Sequence, residues 1–100
     1  MNPALLVDDP RTPAFADMLK ALAHPLRLRI ASLVAERPHY VNEMVARLGQ
    51  PQSIVSQQLR ILRMSGLVEF SRTGGRSMYR AARPGLGNLL QCLGNCTKAD

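Results

Sequence analysis

The sequence predicts a mainly helical domain: five helices, with a single β-hairpin between the fourth and the fifth. Three observations carry that prediction. Apolar residues recur at helical spacing from Phe15 to Leu62, a Gly74, Gly75 pair stands between two short runs of strand formers, and a last leucine stripe runs from Leu86 to Leu93. A chain of 100 residues holds one such domain and not two. Residues 1–12 read as an N-terminal arm, 13–96 as the domain and 97–100 as a tail. Hydrophobic residues make up 46% but aromatics only 4%, with no Trp, so Leu, Ile, Val, Ala and Met must build the core. A domain of this size buries only about two thirds of the surface its unfolded chain exposes, so a partner subunit adds needed stability and a homodimer is expected.

Thr12 and Pro13 read as an N-cap and first helical residue, and Phe15, Met18, Leu19 and Leu22 follow as the first helix. His24 and Pro25 repeat the arrangement. His24 caps a second helix striped by Leu26, Ile30, Leu33 and Val34, which must stop before Pro38. His39 falls in the turn after that proline, and neither histidine has partners at metal-ligand spacing. Val41, Met44, Val45 and Leu48 form a short third helix ended by Gly49. Gln50 and Pro51 then lead into a fourth helix that turns Val55, Leu59 and Leu62 inward. Two short helices joined by a turn of about three residues around a glycine make a helix-turn-helix. Leu67 to Arg72 and Ser77 to Ala82 read as the two strands, with Thr73 to Arg76 as their turn. Pro84 opens the last helix, where Leu86, Leu89, Leu90 and Leu93 repeat at i, i+3, i+4, i+7. Gly85, Gly87 and Gly94 each weaken it by about 1 kcal/mol if interior, so it needs something to pack on.

The net charge of +6 is concentrated. Between Gln52 and Arg83, the arginines Arg60, Arg63, Arg72, Arg76, Arg80 and Arg83 face a single acid, Glu69, while the chain from Pro84 onward is neutral. A polyanion is the natural partner, and arginine's planar fork suits phosphates and guanine edges. The polar face of the fourth helix starts at Gln52 and carries Ser53, Ser56, Gln57 and Arg60, with no acid from Gln52 to Gly66. A helix of that width bearing short hydrogen-bonding groups can reach base edges in a major groove. Arg72 and Arg76 flank the hairpin tip, placed to clamp flanking phosphates or enter a minor groove. The partner expected is therefore a double-stranded DNA operator, with pseudo-two-fold symmetry to match a dimer.

Other classes fit poorly. The chain has no nucleophile beside a base, no convergent carboxylates and no phosphate loop, so it is not read as an enzyme. It lacks the aromatic platform that single-stranded RNA recognition uses. No apolar run approaches the roughly 18 residues of a membrane span, and Asp8 and Asp9 stand where a signal peptide needs a basic start, so the cytoplasm is expected. A rival is a protein-interaction module that has lost operator binding and captures another regulator.

The run from Leu19 to Ile30, LKALAHPLRLRI, resembles the opening signature of the ArsR/SmtB winged helix-turn-helix repressors. Gln52 to Arg63, QSIVSQQLRILR, with Ser65, Gly66, Leu67 and Val68 after it, resembles their recognition helix and its exit, and Arg72 to Tyr79 resembles their wing. The resemblance spans residues 13–95. It implies homodimeric bacterial transcriptional repressors whose first and last helices form the dimer interface, and an effector that lowers operator affinity. Leu86, Leu89, Leu90 and Leu93 would then line the seam. The family's thiol site, a Cys, Val, Cys, Asp pattern at the third helix, is replaced here by Tyr40, Val41, Asn42 and Glu43. Its zinc site on the last helix needs Asp, His and Glu, and Pro84 to Cys96 contains neither acid nor His.

Cys92 and Cys96 remain as effector candidates. Small buried hydrophobes are one reading. A second is a pair of soft-ion ligands facing the same way, suited to As(III), Cd(II) or Pb(II) with a third ligand from elsewhere in the dimer. A third is a thiol redox sensor. A disulfide within the intact helix is strained, since Cβ atoms about 6 Å apart exceed the roughly 3.8 Å a disulfide wants, and Gly94 between the cysteines would let the helix unwind. An effector-independent regulator is the fourth.

Overall fold

A computed structural model of the chain, describing residues 3–96, contains all five helices and the hairpin; the expected tail lies outside the described residues. The helices are α1 (Thr12–Leu22), α2 (Pro25–Glu36), α3 (Val41–Leu48), α4 (Gln52–Met64) and α5 (Leu86–Cys96). The strands are β1 (His39–Tyr40), β2 (Val68–Thr73) and β3 (Arg76–Ala81), and a 3-10 turn over Pro3–Val7 precedes α1. The fold is a mainly helical winged helix-turn-helix.

Local chemistry sets the helix boundaries. His24 is extended at the start of α2, and its Nδ1 accepts from the backbone N–H groups of Leu26, at 3.2 Å, and Arg27, at 3.4 Å. Those donors have no partner within the helix, so the imidazole caps α2 as expected. The start of α1 differs from expectation. Thr12 does not cap it: its hydroxyl donates back to the Leu6 carbonyl at 2.6 Å, and the preceding turn is closed by Asp9, whose carboxylate accepts from the Arg11 N–H at 2.8 Å. The Arg11 guanidinium, which also bonds this carboxylate, and then that backbone bond lower the Asp9 pKa. Between α3 and α4, Gly49 adopts φ 64°, a left-handed conformation that costs a residue with a Cβ, and its N–H closes on the Val45 carbonyl.

The hairpin gains a strand that periodicity did not show. The sheet has three antiparallel strands in the order β1-β3-β2, with His39 opposite Tyr79 and Tyr40 opposite Met78. His39 is therefore a buried strand residue, 3% exposed, with Nδ1 2.7 Å from the Arg37 carbonyl, and not a residue of a solvent turn. A two-residue strand is too short to show alternation, so only its pairing reveals it. At the other end of β3, Thr73 pairs with Arg76 around Gly74 and Gly75, whose φ values of 58° and 78° are those of a type I′ turn.

The core is aliphatic. Ile30 and Ala31 of α2, Met44 of α3 and Val55, Leu59 and Leu62 of α4 are fully buried, in one cluster with Leu67, Val68 and Leu86. Helix α5 packs on α2. Leu86, expected at a subunit seam, is instead part of the protomer's own core; Leu90 is half-buried, while Leu89 and Leu93 are exposed. Truncating the centre of the α4 stripe, Leu59→Ala, lowers unfolding free energy by about 2–5 kcal/mol, since it removes a fully buried side chain and leaves a cavity. Urea denaturation at fixed protomer concentration checks this; an unchanged midpoint would remove Leu59 from the core.

Candidate nucleic-acid interface

Helix α4 has two faces because its period leaves no alternative. With Val55, Leu59 and Leu62 buried, Gln52, Ser53, Ser56, Gln57 and Arg60 are all exposed. The sequence-derived row is thus one continuous polar face. Its orientation is also tied from behind: the Arg27 guanidinium on α2 donates to Gln58 Oε1 at 2.9 Å and to the Ala21 carbonyl. That part-buried bridge joins α4 to α2 and to the end of α1. Nothing in the sequence signals this pairing of Arg27 with Gln58 across 31 positions.

Arg60 lies on the exposed face of α4, and the other five arginines of the basic stretch divide by what they touch. Arg80 Nε is 2.9 Å from the Glu69 carboxylate and its Nη1 reaches Ser71 Oγ, so this charge is matched across the β2–β3 pair. Arg83 donates to the Gly66 carbonyl at 3.1 Å, and Arg63 lies over the Phe70 ring, 5.0 Å from its centroid. Phe70 itself stacks on Tyr79 at 5.3 Å. Arg72 donates to the Gly75 carbonyl at 2.9 Å and to Ser77 Oγ at 3.3 Å, bracing the wing turn. Arg76 lies 3.7 Å from the centroid of the Tyr40 ring and donates to Asn42 Oδ1 at 2.9 Å. Neither Arg72 nor Arg76 has a carboxylate among these partners, and both stay exposed. A cleft lined by Tyr40, Asn42, Gln52, Arg72, Arg76 and Ser77 joins the wing to the start of α4.

Tyr40, Val41, Asn42 and Glu43 form the entry to α3. The Tyr40 N–H donates to Glu43 Oε1 at 2.9 Å, which lowers the Glu43 pKa with smaller help from Arg37. These residues carry a helix cap and a ring, and no soft ligand.

Cys92 and Cys96 are exposed on one face of α5 with sulfurs 4.0 Å apart. That contact raises the Cys96 pKa: the hydrogen bond to Cys92 contributes most, then the charge on Cys92, then desolvation. Among the described residues no three His, Cys, Asp or Glu side chains gather as a metal site, so two thiols are what one protomer brings together here. No helix among the described residues is long and apolar enough to cross a membrane.

Comparison with known proteins agrees with this geometry. Residues 24–69 match the family described as bacterial regulatory protein, arsR family. An uncharacterised HTH-type transcriptional regulator of Mycobacterium tuberculosis is 41% identical over 76 residues, covering 75% of this chain and 67% of that protein. The crystal structure of the transcriptional repressor BigR from Xylella fastidiosa superposes with a TM-score of 0.82 at 33% identity, covering 90% of this chain and 92% of that one. The solution structure of a homodimeric winged helix-turn-helix DNA-binding domain from Mycobacterium bovis gives a TM-score of 0.77 at 29% identity, with 89% and 86% coverage.

Proposed function

The chain belongs to the arsR family of bacterial regulatory proteins, DNA-binding transcriptional repressors rather than enzymes, and on that premise we propose that it is an effector-released repressor that binds a pseudo-symmetric operator as a homodimer in the cytoplasm. One observation carries the reading: α4 buries Val55, Leu59 and Leu62 while Gln52, Ser53, Ser56, Gln57 and Arg60 face solvent together, beside an arginine-bearing wing. Ser53, Ser56 and Gln57 read base edges, Arg60 reaches bases or phosphates, and the wing arginines contact the flanking backbone.

The dimer reading draws on a second surface. Leu5, Leu6, Val7, Leu19, Leu89 and Leu93 are exposed, and Leu6, Leu19 and Leu89 line one apolar groove between α1 and α5 with Phe15, Met18 and Leu22. A second copy covering this groove sets two α4 helices toward major grooves about 34 Å apart. Each fully buried leucine stabilises the assembly by about 1.5–3 kcal/mol before ordering costs. Light scattering at micromolar concentration gives the mass of a dimer, and Leu89→Glu gives a monomer; a monomeric wild type would remove the basis of the two-fold operator.

Gel shifts on a duplex selected by the wild type from a random pool separate reader from clamp. Gln57→Ala relaxes base preference at one position per half-site, because an amide able to bond a base twice is gone. Arg60→Ala weakens binding more broadly. A Gln57→Ala protein with unaltered preference would take the reader role from α4.

For the effector, the paired thiols at 4.0 Å support a soft ion such as As(III), Cd(II) or Pb(II), with a further ligand from outside the pair. Ligation displaces thiol protons, so affinity rises with pH through the thiol range, and the raised Cys96 pKa carries that rise to higher pH. A coupling of about 1–3 kcal/mol lowers operator affinity about 5- to 150-fold. Titrating wild type and a Cys92→Ser, Cys96→Ser double variant with As(III), Cd(II) and an oxidant, while following DNA binding, checks this. Release of the wild type alone by a metal supports ligation and by the oxidant alone a redox sensor; equal behaviour of both proteins makes the cysteines silent.

A further inference from the structure

One side chain, Arg76, ties the wing turn to the start of the helix-turn-helix. Because β1 pairs with β3 so that Tyr40 lies opposite Met78, Arg76 is the diagonal neighbour of Tyr40 on the same face of the sheet. The Arg76 guanidinium covers that diagonal, 3.7 Å from the Tyr40 ring centroid, and its Nη2 donates to Asn42 Oδ1 at 2.9 Å. Asn42 stands in the first turn of α3, so the contact links the wing turn, the edge strand and the first helix of the helix-turn-helix. A guanidinium carries five N–H donors in one plane. One face on a ring and one donor on an amide leave most of its edge open. Both partners are neutral, unlike the carboxylates that face Arg37 and Arg80, so Arg76 is held in place with its charge unmatched.

We infer that Tyr40 and Asn42 are positioning residues for operator binding: they fix the Arg76 guanidinium, still cationic, where the wing meets a DNA phosphate. The inference rests on the operator-binding reading above. A free arginine loses rotamer freedom when it engages a phosphate, whereas a stacked one has lost most of it beforehand. The number of phosphate charges neutralised is the same in either case, so affinity and salt dependence separate the two roles. Arg76→Ala deletes a phosphate contact, and the slope of log affinity against log salt falls by about one. Tyr40→Ala keeps the charge but frees it, so affinity falls about 2- to 10-fold with slope and base preference retained. Tyr40→Phe preserves the ring and binds as the wild type does. Asn42→Asp sets a carboxylate against Arg76 and lowers both affinity and slope.

The test is fluorescence anisotropy of the full chain on the selected duplex and on a scrambled duplex, over a salt series, with circular dichroism melts of every variant. Should Tyr40→Ala melt early, Asn42→Ala carries the test, since it removes one hydrogen bond at an exposed site and has the same expected signature. The inference is overturned if a folded Tyr40→Ala binds as the wild type, if Tyr40→Phe binds as weakly as Tyr40→Ala, or if Arg76→Ala leaves the slope unchanged. A wild type that retains no duplex from the pool overturns operator binding itself, and the positioning role with it. That result is distinct from a wild type that binds and variants that match it.

Discussion

Burial of one stripe on α4 is the constraint on which the other features depend. Val55, Leu59 and Leu62 are fully buried among residues of α2 and α3. A helix cannot turn about its axis without exposing such a stripe, and the hydrophobic cost of doing so exceeds anything the polar face could return. The rotation of α4 is therefore fixed by the core, and the direction of Ser53, Ser56, Gln57 and Arg60 follows without a further interaction. The Arg27 to Gln58 bond adds a polar constraint at the rim of the same interface, where packing alone leaves a long side chain free.

Charge is distributed by the same logic. The sequence shows six arginines against one acid between Gln52 and Arg83, yet they are not equivalent cations. Arg80 is matched by Glu69, and Arg83 is bonded to the Gly66 carbonyl. The wing tip keeps its charge because Arg72 and Arg76 are held by carbonyl, hydroxyl, amide and ring, none of which neutralises a guanidinium. A surface that is both ordered and unneutralised suits a phosphate backbone: order limits the entropy lost on binding, and open charge drives counterion release.

Helix α5 serves two environments along its length. Its start is anchored by Leu86 in the protomer core, and its later turns present Leu89 and Leu93 outward beside Cys92 and Cys96. An effector at the thiols would therefore act beside the apolar surface that a second copy would cover. In the proposed dimer that proximity would give a physical route from ligand to DNA, since a change in the angle between subunits would move two α4 helices together.

What the sequence determined by itself was everything that local periodicity and turn chemistry control. The five helices, the α4 stripe, the His24 cap, the Gly49 break and the Gly74, Gly75 hairpin turn are each written within a window of a few residues, because each is fixed by 3.6-residue spacing or by a φ only glycine adopts easily. Tertiary structure alone decided what depends on residues distant in the chain. It decided that His39 and Tyr40 form a third strand and that Leu86 lies in the core. It also decided which arginines remain open, since Arg27 with Gln58 and Arg76 with Tyr40 and Asn42 meet only once the helices are packed and the strands are in register. Such pairings leave no periodic mark, because a side chain's partner across 31 or 34 positions is chosen by the geometry of the folded chain and not by its neighbours in sequence.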